Sequence, residues 1–98
     1  MPAYVVIDID VHDAATYERY KQLAPPAIAA YGGRYIARGG ETAVLEGTWQ
    51  PKRLVILQFD SVARAKEWID SPEYAEARAL RQSCSTGNMV VVEGVAAP

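Results

Sequence analysis

Residues 4–10 alternate: Val5, Ile7 and Ile9 fall on one side of an extended chain, Tyr4, Val6, Asp8 and Asp10 on the other. The period then lengthens. Tyr17, Tyr20, Ala24, Ile28 and Tyr31 make one helical stripe behind Asp13, a residue suited to cap a helix N-terminus. Pro25-Pro26 interrupts the stripe, so the pattern predicts a helix ending near Leu23 or Ala24 and a short piece restarting with proline in its first turn. Gly32-Gly33 ends that piece, one of the two left-handed.

Residues 34–38 read as a second strand, with a bulge or bend at Gly39-Gly40, an extended continuation over 42–46 and a hairpin turn over 48–52. A third strand covers 53–60, with Val55, Leu57 and Phe59 on one face. Ser61 caps a second helix carrying Val62, Ala65, Trp68 and Ile69. Ser71-Pro72-Glu73 restarts it, and Tyr74, Ala77 and Leu80 continue the inner stripe. Residues 89–93 form the last strand.

The order β-α-β-β-α-β is the split βαβ, or ferredoxin-like, arrangement: an α+β fold whose four-stranded antiparallel sheet carries both helices on one face. If Val5, Ile7, Ile9, Val55, Leu57 and Phe59 meet the helices, the other face carries Tyr4, Val6, Ile36, Leu54, Ile56, Met89 and Val91. That face is too apolar for water, and packing two sheets together in a homodimer would cover it.

Ninety-eight residues fit one domain, spanning 1–98, with a single core and little margin. A net charge of −2 argues against nucleic-acid or anionic-membrane partners, which call for clustered basic surface. One cysteine, Cys84, allows no internal disulfide and suits a reducing cytoplasm. No apolar run reaches membrane-spanning length, and no leader pattern precedes the first strand.

The candidate chemistry lies in Tyr31-Gly-Gly-Arg-Tyr-Ile-Ala-Arg-Gly-Gly40. Arg34 and Arg38 are four apart, so on a regular strand they point the same way and could clamp a carboxylate or phosphate. The competing explanation is a structural ion network with Asp8, Asp10, Glu46 or Glu93. Tyr4, Asp8, Asp10, Gln58 and Asp60 sit on alternating positions that could line the same cavity, an aspartate there serving as general base or simply being solvated. His12, the only histidine, follows the first strand; it could move a proton or ligate a haem, or more often be an ordinary loop residue. Without a second histidine or a cysteine cluster no metal site is expected, and no cofactor. Tyr17, Tyr20, Trp68 and Tyr74 fit core packing. Trp49, in a turn, fits a cavity mouth or, better, a partner subunit.

Several segments together resemble the DUF1330 family, a domain of unknown function within the dimeric α/β-barrel superfamily. They are Asp13 with Tyr17 and Tyr20, the 31–40 glycine-arginine segment, Leu45-Glu-Gly47, Trp49-Gln-Pro51, Ala65-Lys-Glu-Trp68 and Ser71-Pro-Glu-Tyr74. The resemblance implies a ferredoxin-like protomer and a dimer whose sheets face each other as a barrel. It implies no one activity, since superfamily members include cofactor-free monooxygenases, muconolactone-isomerase-like enzymes, haem-handling proteins and ligand-sensing domains. The expectation is a dimer that binds a small polar or anionic organic compound through Arg34, Arg38, Tyr4, Gln58 and Trp49. The alternatives are an isomerase, lyase or monooxygenase using Asp8 or His12, and a purely structural dimer.

Overall fold

The computed structural model describes residues 1–96; Ala97 and Pro98, the last two of the expected domain, lie outside them. Strand β1 (Ala3–Val11) leads into helix α1 (Ala14–Ala30), strands β2 (Arg34–Arg38) and β3 (Leu54–Phe59), helices α2 (Val62–Ile69) and α3 (Pro72–Cys84), and strand β4 (Ser85–Glu93). The sheet order is β2-β3-β1-β4, every pair antiparallel, with the helices on one face and the other face left open. This is the expected ferredoxin-like α+β arrangement. No described helix is long and apolar enough to cross a membrane.

The local signals act as chemistry requires. Asp13 accepts the Thr16 amide at 3.2 Å, and Ser61 and Ser71 accept the amides of Arg64 and Tyr74 at 3.0 and 3.2 Å, each relieving one unpaired donor at a helix start. Helix α1 ends in a Schellman arrangement: Gly33 donates to Ile28 at 2.9 Å and Gly32 to Ala29 at 3.0 Å, with Gly32 at φ +74°. A Cβ in that left-handed conformation costs roughly 1 kcal/mol. Gly32→Ala should therefore lower the melting temperature by about 4–8 °C, read by circular dichroism; an unchanged transition would contradict this account of the helix end.

The alternation in β1 and β3 becomes the core. Val5, Ile7, Ile9, Val55, Leu57 and Phe59 are buried against Tyr17, Tyr20 and Ile28 of α1, Trp68 of α2 and Tyr74 of α3. Each such side chain contributes about 1.5–3 kcal/mol on leaving water.

Four expectations need correction. Helix α1 does not break at Pro25-Pro26. The prolines withdraw the donors that would reach the carbonyls of Lys21 and Gln22. Arg38 donates to the Lys21 carbonyl at 3.1 Å in place of Pro25, and Gln22 is exposed, where water can serve. Residues 42–46 are not a strand: the β2–β3 ladder closes with Gly39 donating to Leu54 at 2.9 Å, and Gly39, at φ +69°, turns the chain out of the sheet into an irregular arm over 39–53. Strand β4 begins at Ser85 directly after α3, four residues earlier than the apolar pattern indicates. Its start is fixed by the Cys84 carbonyl, which accepts from His12 at 2.8 Å. In the resulting register Met89 and Val91 oppose Ile7 and Val5 and face the helices, while Val90 and Val92 take the open face. Finally, β2 carries a bulge. Tyr35 pairs with Leu57 and Ala37 with Ile56, leaving Ile36 unopposed, so side-chain parity reverses along the strand.

Candidate functional site

That bulge separates the two arginines. Arg34 pairs with Gln58 on the open face; Arg38 pairs with Val55, a core residue, and lies on the helix side. They cannot close on one ligand from a shared face, because one extra residue inverts the alternation on which that arrangement depends.

On the open face Tyr4, Gln58 and Arg34 form a row across β1, β3 and β2, and Arg34 donates to the Gln58 amide oxygen at 3.0 Å. Further along β1, Asp8 uses both carboxylate oxygens. One accepts the Trp49 indole N–H at 2.8 Å and the other the Lys52 amide at 3.2 Å. Asp8 thus moors the 39–53 arm to the sheet. Asp10 is exposed two residues on, and His12, also exposed, shares a 3.0 Å hydrogen bond with the Thr86 hydroxyl. The ion network with Asp8, Asp10, Glu46 or Glu93 does not form: among the described residues the ion pairs are Lys21–Glu18, Arg64–Glu67 and Arg78–Asp70.

A second cluster lies between α1 and the sheet. Arg38 and Arg53 both line a crevice walled by Tyr17, Tyr20, Tyr35 and aliphatic groups of β1 and β3. Its enclosed part measures about 10 Å³, room for one water. The Arg53 guanidinium donates to the Tyr17 hydroxyl at 3.2 Å, stacks 5.4 Å from that ring and packs against Gly39. The Arg38 guanidinium lies 4.4 Å over the Tyr35 ring. Neither has a carboxylate within ion-pair distance among the described residues. Glu18, near enough to feel Arg53, is held below its usual range first by its bond to Lys21. Behind this mouth the Tyr20 and Tyr74 hydroxyls share a buried 2.7 Å hydrogen bond, and Arg81 donates to Tyr74 at 3.3 Å. Burial, reinforced by the Tyr74 phenol, pushes the Tyr20 hydroxyl far up; burial also raises Tyr35 against the pull of Arg38. Both phenols stay protonated near neutrality and can donate. Among the described residues no carboxylate or imidazole lines the crevice, and no cluster of metal-binding side chains occurs.

The 31–40 segment gives no hint of Arg53, although alternation through Val55 puts it on the helix side. The parity of Arg38 had no such signal: nothing at Ile36 marks a bulge. Tyr17, Tyr20, Trp68 and Tyr74 are core, as their stripes predicted, and three of those stripe positions also supply hydroxyls to the crevice and its rear.

Residues 2–95 match the model of DUF1330, a domain of unknown function, and the chain belongs to that family. Its fold is similar to that of solved structures. A protein of unknown function from Rhodopseudomonas palustris is 20% identical, with 98% of this chain and 84% of that one aligned at a TM-score of 0.79. SnoaB, a cofactor-independent oxygenase from Streptomyces nogalater, is 11% identical over 98% of this chain and 95% of its own, at 0.66. Rv0793 from Mycobacterium tuberculosis is 16% identical over 99% and 98%, at 0.58. No curated protein matches the chain. At these identities the likeness is one of fold alone.

Proposed function

We propose that this DUF1330 member is a homodimer that binds a small organic anion, a monocarboxylate with an apolar body, at the Arg38–Arg53 mouth of each protomer. The observation that carries the reading is two guanidiniums on one crevice, neither paired with an acid, above phenol donors and aliphatic walls. Guanidinium forks match planar carboxylates, and a partly dry mouth strengthens each charge-assisted bond. The crevice has room for about one water as it stands, so in this reading the carboxylate meets the guanidiniums at the mouth and entry of the ligand's body requires Arg53 to leave Tyr17.

The open face supports the dimer. Val90 and Val92 are exposed there and Tyr4, Val6, Leu54 and Ile56 only half-buried, a patch that a second sheet would cover. In this reading Arg34, Gln58 and Tyr4 belong to the seam between protomers. A cytoplasmic location goes with it, on the single unpaired Cys84. An isomerase, lyase or monooxygenase acting in the same crevice needs a proton acceptor there, and the lining offers protonated phenols and cations instead. Asp8 and His12 lie on and beyond the other face.

Calorimetry with benzoate, phenylacetate and hexanoate tests the binding. At least one acid should bind the wild type, and Arg53→Ala should weaken it at least about tenfold, one lost charge-assisted bond. Arg34→Ala, on the far face, should leave affinity unchanged. If no acid binds, or if Arg34→Ala and not Arg53→Ala abolishes binding, the assignment to this crevice is wrong.

A further inference from the structure

The arm over residues 39–53 is anchored at both ends and bare in the middle. Gly39 donates to Leu54 at one root; Trp49 and Lys52 are held by Asp8 at the other. Every residue from Gly39 to Gln50 is exposed, including the apolar pair Val44 and Leu45, the latter 96% exposed. An exposed loop of this length with apolar side chains at its tip is uncommon unless something receives it. Between the arm and β3 lies an open cleft of about 480 Å³, lined by Val44, Leu45, Trp49, Pro51 and Leu54 among others. Val44 and Leu45 thus both project from the arm and wall the recess beside it, so two copies meeting about a two-fold axis could exchange these side chains between their clefts. Of the exposed large hydrophobics, Ile36, Val44, Leu45, Trp49, Val90 and Val92 all sit on the arm or on the strands of the uncovered sheet.

We propose that the arm is a clasp: Leu45 of one protomer seats in the arm–β3 cleft of a second copy, and the second copy returns the contact. The proposal rests on the homodimer reading above and adds which segment holds the dimer closed. Asp8 is then a positioning residue that aims the arm.

Sedimentation equilibrium of the wild type, Leu45→Asp and Val90→Asp, with Trp49 emission recorded over a dilution series, tests it. Trp68 is fully buried, so a concentration-dependent shift of the emission reports Trp49. The wild type should be a dimer whose Trp49 emission moves to longer wavelength on dilution. Leu45→Asp should weaken association at least about a hundredfold, two apolar seats being lost per dimer, with unchanged far-UV circular dichroism. A wild-type dimer that Leu45→Asp leaves equally tight, while Val90→Asp dissociates it, overturns the clasp and keeps the face-to-face dimer. A dimer in which Trp49 emits as a solvated indole likewise overturns the clasp, the cleft being open to water. A wild-type monomer at tens of micromolar overturns the dimer reading and the clasp with it.

Discussion

Trp68→Ala should cost about 3–5 kcal/mol of unfolding free energy, the largest loss expected from any single truncation in this chain. The indole is 1% exposed, with its ring 4.4 Å from that of Tyr74 and 5.3 Å from that of Phe59. It joins α2, α3 and β3 at one point, and alanine leaves a void that the two remaining rigid rings cannot collapse into. A domain of this size holds about 5–15 kcal/mol in all, so the variant should be marginal at room temperature. Trp68→Phe separates two parts of that loss. The indole Nε1 is buried without a hydrogen-bond partner, and an unmatched buried donor costs about 1–3 kcal/mol. Phenylalanine keeps most of the ring and removes the donor, so its net cost should stay within about 1.5 kcal/mol. Urea unfolding followed by circular dichroism gives both values. Equal losses for the two variants would mean that the N–H is satisfied in solution and that Trp68 is held by polarity as well as packing.

Trp68 and its neighbours also show why the core could be read from sequence. Burial on one face of a strand or helix imposes periods of 2 and about 3.6, and β1, β3, α2 and α3 keep those periods without interruption. Caps were legible for a related reason: Asp13, Ser61 and Ser71 act on amides three residues away, so the whole interaction lies within one short window. The errors all arise where a distant group decides. Pro25-Pro26 reads as a break locally, yet the carbonyl it strands is satisfied by Arg38, seventeen residues on. The parity of β4 follows from a hydrogen bond between Cys84 and His12 that no pattern within the strand announces. The bulge at Ile36 has no glycine to mark it, and it alone moves Arg38 to the opposite face from Arg34. The candidate site was therefore half legible. Residue types in the 31–40 segment suggest anion chemistry, but spacing within one strand pairs Arg38 with Arg34, whereas the crevice sets it beside Arg53 from the segment before β3.

Arg38 braces α1 and, in the proposed reading, also holds the ligand; a double-mutant cycle with Pro25 should separate the two roles. Its guanidinium donates to the Lys21 carbonyl that Pro25 leaves free, and it lies 4.4 Å over the Tyr35 ring. At an exposed position these contacts together should contribute about 1–2 kcal/mol, so Arg38→Ala should lose that much stability. Pro25→Ala restores an amide at the position that reaches the Lys21 carbonyl in a regular helix. In that background Arg38→Ala should cost only the stacking contribution, on the order of 0.5–1 kcal/mol, and the difference between the two losses measures the carbonyl contact. Anion affinity should behave otherwise. If Arg38 holds the carboxylate beside Arg53, Arg38→Ala weakens binding at least about tenfold whether residue 25 is proline or alanine. Recovery of affinity along with stability in the double variant would show that Arg38 acts by keeping α1 continuous. Arg53 would then be left as the one guanidinium that meets the ligand.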